Sequence, residues 1–208
     1  MDRREFLKYS MAAGAFLMAG EGVNADVMAQ GTARVTEVDK LTVWVLTDNY
    51  YDALRPDSKI TKRYRVTPGK SIHAEHGLAY YMETVINGKT SACMFDYGLD
   101  PMGVMNNITL LGLDLGKTNA FSLSHGHFDH WMGAVSILKQ NQSRIAGGTP
   151  FYVGEEGFAR RYSLRPGTTE AMDIGQLRKE DIEAFGVKVR EVKKTGADHS
   201  GSVLHREH

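Results

Sequence analysis

The 208-residue sequence holds one cysteine, five prolines and no net charge, with 25 basic and 25 acidic residues. Each shortage excludes something. A lone Cys93 rules out an internal disulfide framework and any cysteine-built zinc knuckle, so a metal site has to draw on histidine and carboxylate. Cys93 lies in the apolar run SACMF and reads as a buried core thiol. Charge balance removes the electrostatic case for nucleic acid or an anionic membrane as partner and leaves small molecules. Hydrophobic runs are short. The apolar stretch from Met11 to Gly20 is about half of the ~20 residues that a membrane span requires, so no stable membrane insertion is expected. The length suits one well-packed domain, and nothing in the composition sets an oligomeric state.

Residues 1–29 read as an export signal. Arg3 and Arg4 precede Phe6-Leu7-Lys8, a mildly apolar Ala/Gly/Met stretch and small residues, with cleavage expected after Ala25 or Ala29. The arrangement resembles the twin-arginine class of bacterial signals, which are read by a receptor and carry folded proteins. The expected destination is the periplasm or the exterior. Changing Arg3 and Arg4 together to lysine should hold precursor in the cytoplasm, as cell fractionation would show; normal export of that variant would remove the assignment.

Residues 35–194 alternate strand and helix signals, which predicts one α/β domain, followed by an irregular tail over 195–208. LTVWVL (41–46) is apolar throughout and predicts a strand buried on both faces. AYYMETVI and TSACMF flank Asn87-Gly88, a strong hairpin signal because both central residues of the favoured turn need positive φ. Between Tyr50 and Gly77 lies a polar surface excursion. Asp100-Pro101 caps and opens a helix to about Leu111, stopped by Gly112. AFSLS is a short strand. Trp131, Val135 and Leu138 recur at helical spacing and predict one helix over 130–140. PFYVG then reads as a strand, GEEGFARRYS as a helix, QLRKEDIEAF as a helix closed by Gly186, and VKVREV as a strand.

Three of the eight histidines fall within SHGHFDHWMG, in the strand-to-helix loop. Residues two apart in an extended segment point the same way, so His125 and His127 can present nitrogens to one ion. Asp129 and His130, where the chain turns helical, suit a second ion, as in two-metal sites. A solvated histidine-rich loop, or a cap in which Asp129 bonds first-turn amides, is the plainer alternative. Four ligand-type residues at this spacing favour metal.

SHGHFDHWMG resembles the H-x-H-x-D-H signature of the metallo-β-lactamase fold. With LTVWVLTDN, AEHGLAYYME, MFDYG and LGLDLGKTNAFSLSHGHFDH it resembles the branch related to dihydropterin ribofuranosyl-aminobenzene phosphate synthase, from about Leu41 to Val192. The resemblance implies an αβ/βα sandwich, here its first half and part of the second, with zinc, up to two ions, or iron or manganese at the sheet edge. His125 and His127 would bind the first metal, and Asp129 and His130 the second. Asp48 and Asp96 would support the loop, and His76 would lie near the site without a fixed role. Asp129 and the metals would position the water whose hydroxide attacks an ester, phosphoester, lactam or thioester of a small molecule. Two alternatives stand beside this hydrolase. One is a pterin-related synthase or transferase on the same metals; the other is a catalytically silent, truncated metal-binding module. The family's second half supplies further ligands, of which this sequence offers only His199, in GADHSG. Tyr97 and Trp131-Met132 stand where the family commonly has smaller residues and are expected to reshape the substrate pocket.

Overall fold

The Asn87-Gly88 turn sets the register of everything around it. In the computed structural model, which describes residues 36–192, Asn87 has φ 49° and Gly88 φ 75°, the paired positive values of a two-residue hairpin loop. They join β2 (Ala79–Ile86) to β3 (Lys89–Phe95), with Ile86 opposite Lys89. β1 (Lys40–Thr47) pairs antiparallel with β2. Beyond β3 the sheet turns parallel through β4 (Ala120–Leu123) and β5 (Pro150–Gly154). β6 (Arg161–Leu164) and β7 (Ala171–Gly175) form a separate antiparallel ribbon. β8 (Lys188–Val192) closes the main sheet, in the order β1-β2-β3-β4-β5-β8. The domain is α/β. The export segment, the irregular tail and His199 lie outside the described residues.

One row of side chains crosses all six strands: Trp44, Tyr81, Met94, Phe121, Phe151 and Val189. They pack in a single apolar cluster with Val104 and Ile108 of α1 (Pro101–Leu110), Ile137 and Leu138 of α3 (Ala134–Asn141) and Ile182 of α4 (Lys179–Glu183). Each fully buried side chain of this size contributes ~1.5–3 kcal/mol. The helices therefore share one face of the sheet. The adjacent row, Val43, Met82, Cys93 and Ala120, points the other way. Cys93 is buried there, and burial pushes its thiol up to about 12.

β1 departs from expectation. Leu41, Val43 and Val45 are 48–52% exposed, because β1 is an edge strand and the described helices all pack on its other face. Its apolar content does not mean burial on both faces. α1 begins as predicted: the Asp100 carboxylate accepts the Met102 N–H at 2.9 Å, Pro101 needs no partner, and Gly112 (φ 69°) follows the end. The predicted helix over 130–140 is instead two pieces, α2 (Phe128–Trp131) and α3, broken at Met132-Gly133. The Gly133 N–H turns to Gly98 O (3.2 Å), which takes the backbone out of one continuous helical ladder. GEEGFARRYS is likewise not a helix. Only a 3₁₀ turn, Glu155–Phe158, forms before Arg161 enters the ribbon, which Gly167 (φ 76°) helps to close. α4 covers five residues of the longer helix expected there. Among the described residues, no helix is long and apolar enough to cross a membrane.

Candidate metal centre

The SHGHFDHW loop leaves the carboxyl end of β4, a central parallel strand, and enters α2 at Phe128. The backbone holds it from below. Gly126 packs against the 156–157 backbone, where a Cβ would lie 2.8 Å from Gly157 O and 3.0 Å from Glu156 O. The Trp131 indole donates to Gly126 O at 3.2 Å. Tyr97 N–H donates to His130 O at 2.7 Å.

Asp96 organises the side chains. It is fully buried, in a left-handed backbone (φ 59°) that aspartate tolerates better than most residues. Its Oδ1 accepts the Ser124 N–H at 2.8 Å; its Oδ2 accepts the Ser124 hydroxyl and the His130 Nδ1–H, each at 2.7 Å. These bonds fix two tautomers. With Nδ1–H given to Asp96, His130 keeps its lone pair on Nε2. Because the single Ser124 hydroxyl proton goes to Asp96, His125 Nδ1, 2.8 Å from that oxygen, must be the donor, and its Nε2 is bare as well.

The rings of His127 and His130 lie 4.4 and 4.2 Å from that of His125, centroid to centroid. His125 is thus central to three imidazoles rather than paired with His127 alone. Burial, then the neighbouring His130 and His127, lowers the His125 pKa, which keeps it neutral and able to donate. Burial also pulls His130 down, but the hydrogen bond and charge of Asp96, with Asp129, outweigh it and raise its pKa.

Asp129 Oδ2 lies 3.5 Å from His130 Nε2 and 3.8 Å from His76 Nε2. These groups, with Asp48, Asn49, Gly77 and Leu78, line a cavity of ≈210 Å³. Asp48 is on its wall but gives its carboxylate to the Asn49 N–H (2.7 Å) and only its carbonyl, through the Glu75 N–H (3.1 Å), to the segment facing the loop. As the side chains stand, no three His, Cys, Asp or Glu donors among the described residues close on one point. The donor set nonetheless suits a divalent ion: bare imidazole nitrogens, a carboxylate beside them, and a buried carboxylate orienting the ligand rings from behind.

Tyr97 and Trp131 do not shape the pocket. Both are buried, and Tyr97 stacks on Phe151 at 5.5 Å, so these larger residues fill the core under the loop. Two functional positions carry no metal motif of their own. Ser124 relays Asp96 to His125, and its only sequence signal is its place before the motif. Glu75, 7% exposed at the side chain, accepts Leu99 N–H and Asp100 N–H, both at 2.8 Å, which ties the His76 segment to the loop after β3.

No family model matches the chain. Over 152 residues, 73% of its length, it is 24% identical to a 7,8-dihydropterin-6-methyl-4-(β-D-ribofuranosyl)-aminobenzene-5'-phosphate synthase of Methanocaldococcus jannaschii. The chain spans 45% of that relative's length. Among solved structures it is similar to the native FEZ-1 metallo-β-lactamase from Legionella gormanii, with a TM-score of 0.28 and 22% identity over 40% of this chain and 32% of that one. It is also similar to a quorum-quenching N-acyl homoserine lactone lactonase, with a TM-score of 0.30 and 16% identity over 55% and 45% of the two chains.

Proposed function

We propose that this chain carries the ligand loop of a metallo-β-lactamase-type, metal-dependent hydrolase acting on an ester, phosphoester, lactam or thioester of a small molecule. The observation that carries the reading is the Asp96 network, which orients the His125 and His130 imidazoles and leaves His130 Nε2 beside Asp129. His125 and His127 would hold one ion and Asp129 and His130 a second, zinc in the first place and otherwise iron or manganese. A divalent ion there supplies Lewis acidity and brings the pKa of water toward ~7. The chain's own groups do the rest. Asp129 Oδ2 faces the cavity and is placed to accept a hydrogen bond from an attacking water, and Asp96 keeps the imidazoles oriented while the substrate is held. The ≈210 Å³ cavity is smaller than the ~300–1,000 Å³ of ordinary ligand sites, so it takes the reacting group rather than a whole substrate.

A synthase or transferase is the second reading, favoured by the name of the relative and by a neighbouring groove. That groove, ≈950 Å³, also reaches Asp48 and carries Lys40, Lys59, Lys62 and Arg63 with Tyr50 and Tyr51 on its walls. Cations and aromatic rings together suit an anionic aromatic substrate. Products separate the two readings, since hydrolysis consumes water and transfer joins two substrates.

The test is metal content. Protein purified from cells supplied with zinc, iron and manganese should retain stoichiometric metal by elemental analysis. His127→Ala, at an exposed position, should lose at least ~tenfold in metal affinity without unfolding. Wild-type protein free of metal would end the hydrolase and transferase readings together.

A further inference from the structure

We infer that His76 is a third donor to the ion position faced by Asp129 and His130, a step that rests on the metal reading above. Ligands about 2.0–2.1 Å from a tetrahedral ion stand ~3.4 Å from one another. Asp129 Oδ2 is 3.5 Å from His130 Nε2 and 3.8 Å from His76 Nε2, so one pair has that spacing already and the other is a few tenths of an ångström wide of it. The His76 side chain is 73% exposed and free to turn its ring through that distance. All three groups line the same cavity.

The backbone shows that His76 is held in this place. Leu78 N–H donates to Asp129 O at 3.3 Å, and Gly77 packs so closely that a Cβ would lie 2.9 Å from the same oxygen. On the other side of His76, the Glu75 carboxylate is fixed to Leu99 N–H and Asp100 N–H, and the Glu75 N–H to Asp48 O. Gly77 and Leu78, after this exposed histidine, are thereby held against the element that carries Asp129, and Glu75, before it, is held to the loop after β3 and to Asp48. Surface exposure alone would need none of this. With His76 the position has three protein donors and room for a fourth, the count of an open, reactive site, whereas Asp129 and His130 alone give two.

Cobalt(II) titration of the whole chain tests this, with visible absorption as the readout and chelator competition for affinity. Wild-type protein should bind cobalt. His76→Ala and His76→Gln should each bind at least ~tenfold more weakly, with shifted bands because one nitrogen donor is replaced, while circular dichroism and melting temperature stay as in the wild type. Wild-type binding with both variants within twofold of it and unchanged bands would overturn the role of His76 and leave the metal loop standing. No cobalt binding by the wild type would overturn both.

Discussion

Replacing Asp96 by alanine is expected to cost about 3–5 kcal/mol of stability, the range for removing one partner of a buried, charge-assisted network. Three donors lose their acceptor at once: Ser124 N–H, the Ser124 hydroxyl and His130 Nδ1–H. Alanine also fits the φ of 59° less well than aspartate. For a domain whose whole stability is ~5–15 kcal/mol, this is a large fraction, and the melting temperature should fall by roughly 6–20 °C. Metal retention should fall with it, because both imidazole tautomers are set by this carboxylate. Urea denaturation with elemental analysis checks the pair of outcomes. A variant within ~1 kcal/mol of the wild type that keeps its metal would show that the loop holds itself.

Asp96→Asn separates charge from shape, since asparagine tolerates the left-handed backbone and offers one acceptor oxygen. His130 has its pKa raised above 6.5, the hydrogen bond and charge of Asp96 and the charge of Asp129 having outweighed burial. A histidine with a raised folded pKa contributes stability that is fully present below its unfolded value and fades as pH rises through the folded one. In chelator-treated protein, the stability gap between wild type and Asp96→Asn should therefore be widest below pH 6.5 and narrow on the alkaline side. Denaturation at a series of pH values measures it. A gap that widens with pH would contradict the assignment of this carboxylate as the partner of a protonated His130.

Local chemistry was legible in the sequence where it is decided locally. Asn87-Gly88, Asp100-Pro101 and Gly112 each fix backbone angles or caps within four residues, and each appears where the pattern placed it. The alternation of strand and helix was legible for the same reason, and with it the α/β class. What the pattern did not reveal depends on contacts across the chain. The period of Trp131, Val135 and Leu138 is helical, yet the break at Met132-Gly133 is imposed by Gly98 and Tyr97, some 35 residues earlier in sequence. β1 looked doubly buried because composition cannot tell an edge strand from a central one. Within the candidate site, the cluster of ligand types was visible in six residues, but its orientation was not. Ser124 and Glu75 act through hydrogen bonds to partners as far as 28 and 25 residues away, and neither residue type announces such a role. The place of Tyr97 and Trp131 beside motifs says nothing about which way they face, and both turn into the core.

Gly133→Ala is expected to destabilise the protein by about 3 kcal/mol, at the upper end of the range for overpacking. The sign is the informative part. Backbone conformation alone would not penalise alanine, since the φ of −72° here poses no obstacle to a side chain. The obstacle is Tyr97. A methyl group at Gly133 would sit inside the contact distance of the Tyr97 carbonyl oxygen, and both residues are buried, so it is backbone rather than a flexible side chain that must give way. Tyr97 cannot move alone. Its N–H holds His130 O at 2.7 Å, its ring stacks on Phe151, and the residue before it is Asp96. Pushing this strand of backbone away from α3 therefore pulls Asp96 from Ser124 and His130, and the loop should lose order and metal along with stability. Urea denaturation reports the first loss and cobalt absorption the second. A Gly133→Ala protein as stable as the wild type, with unchanged cobalt binding, would mean that the close approach of α3 to Tyr97 is not what holds the loop in place.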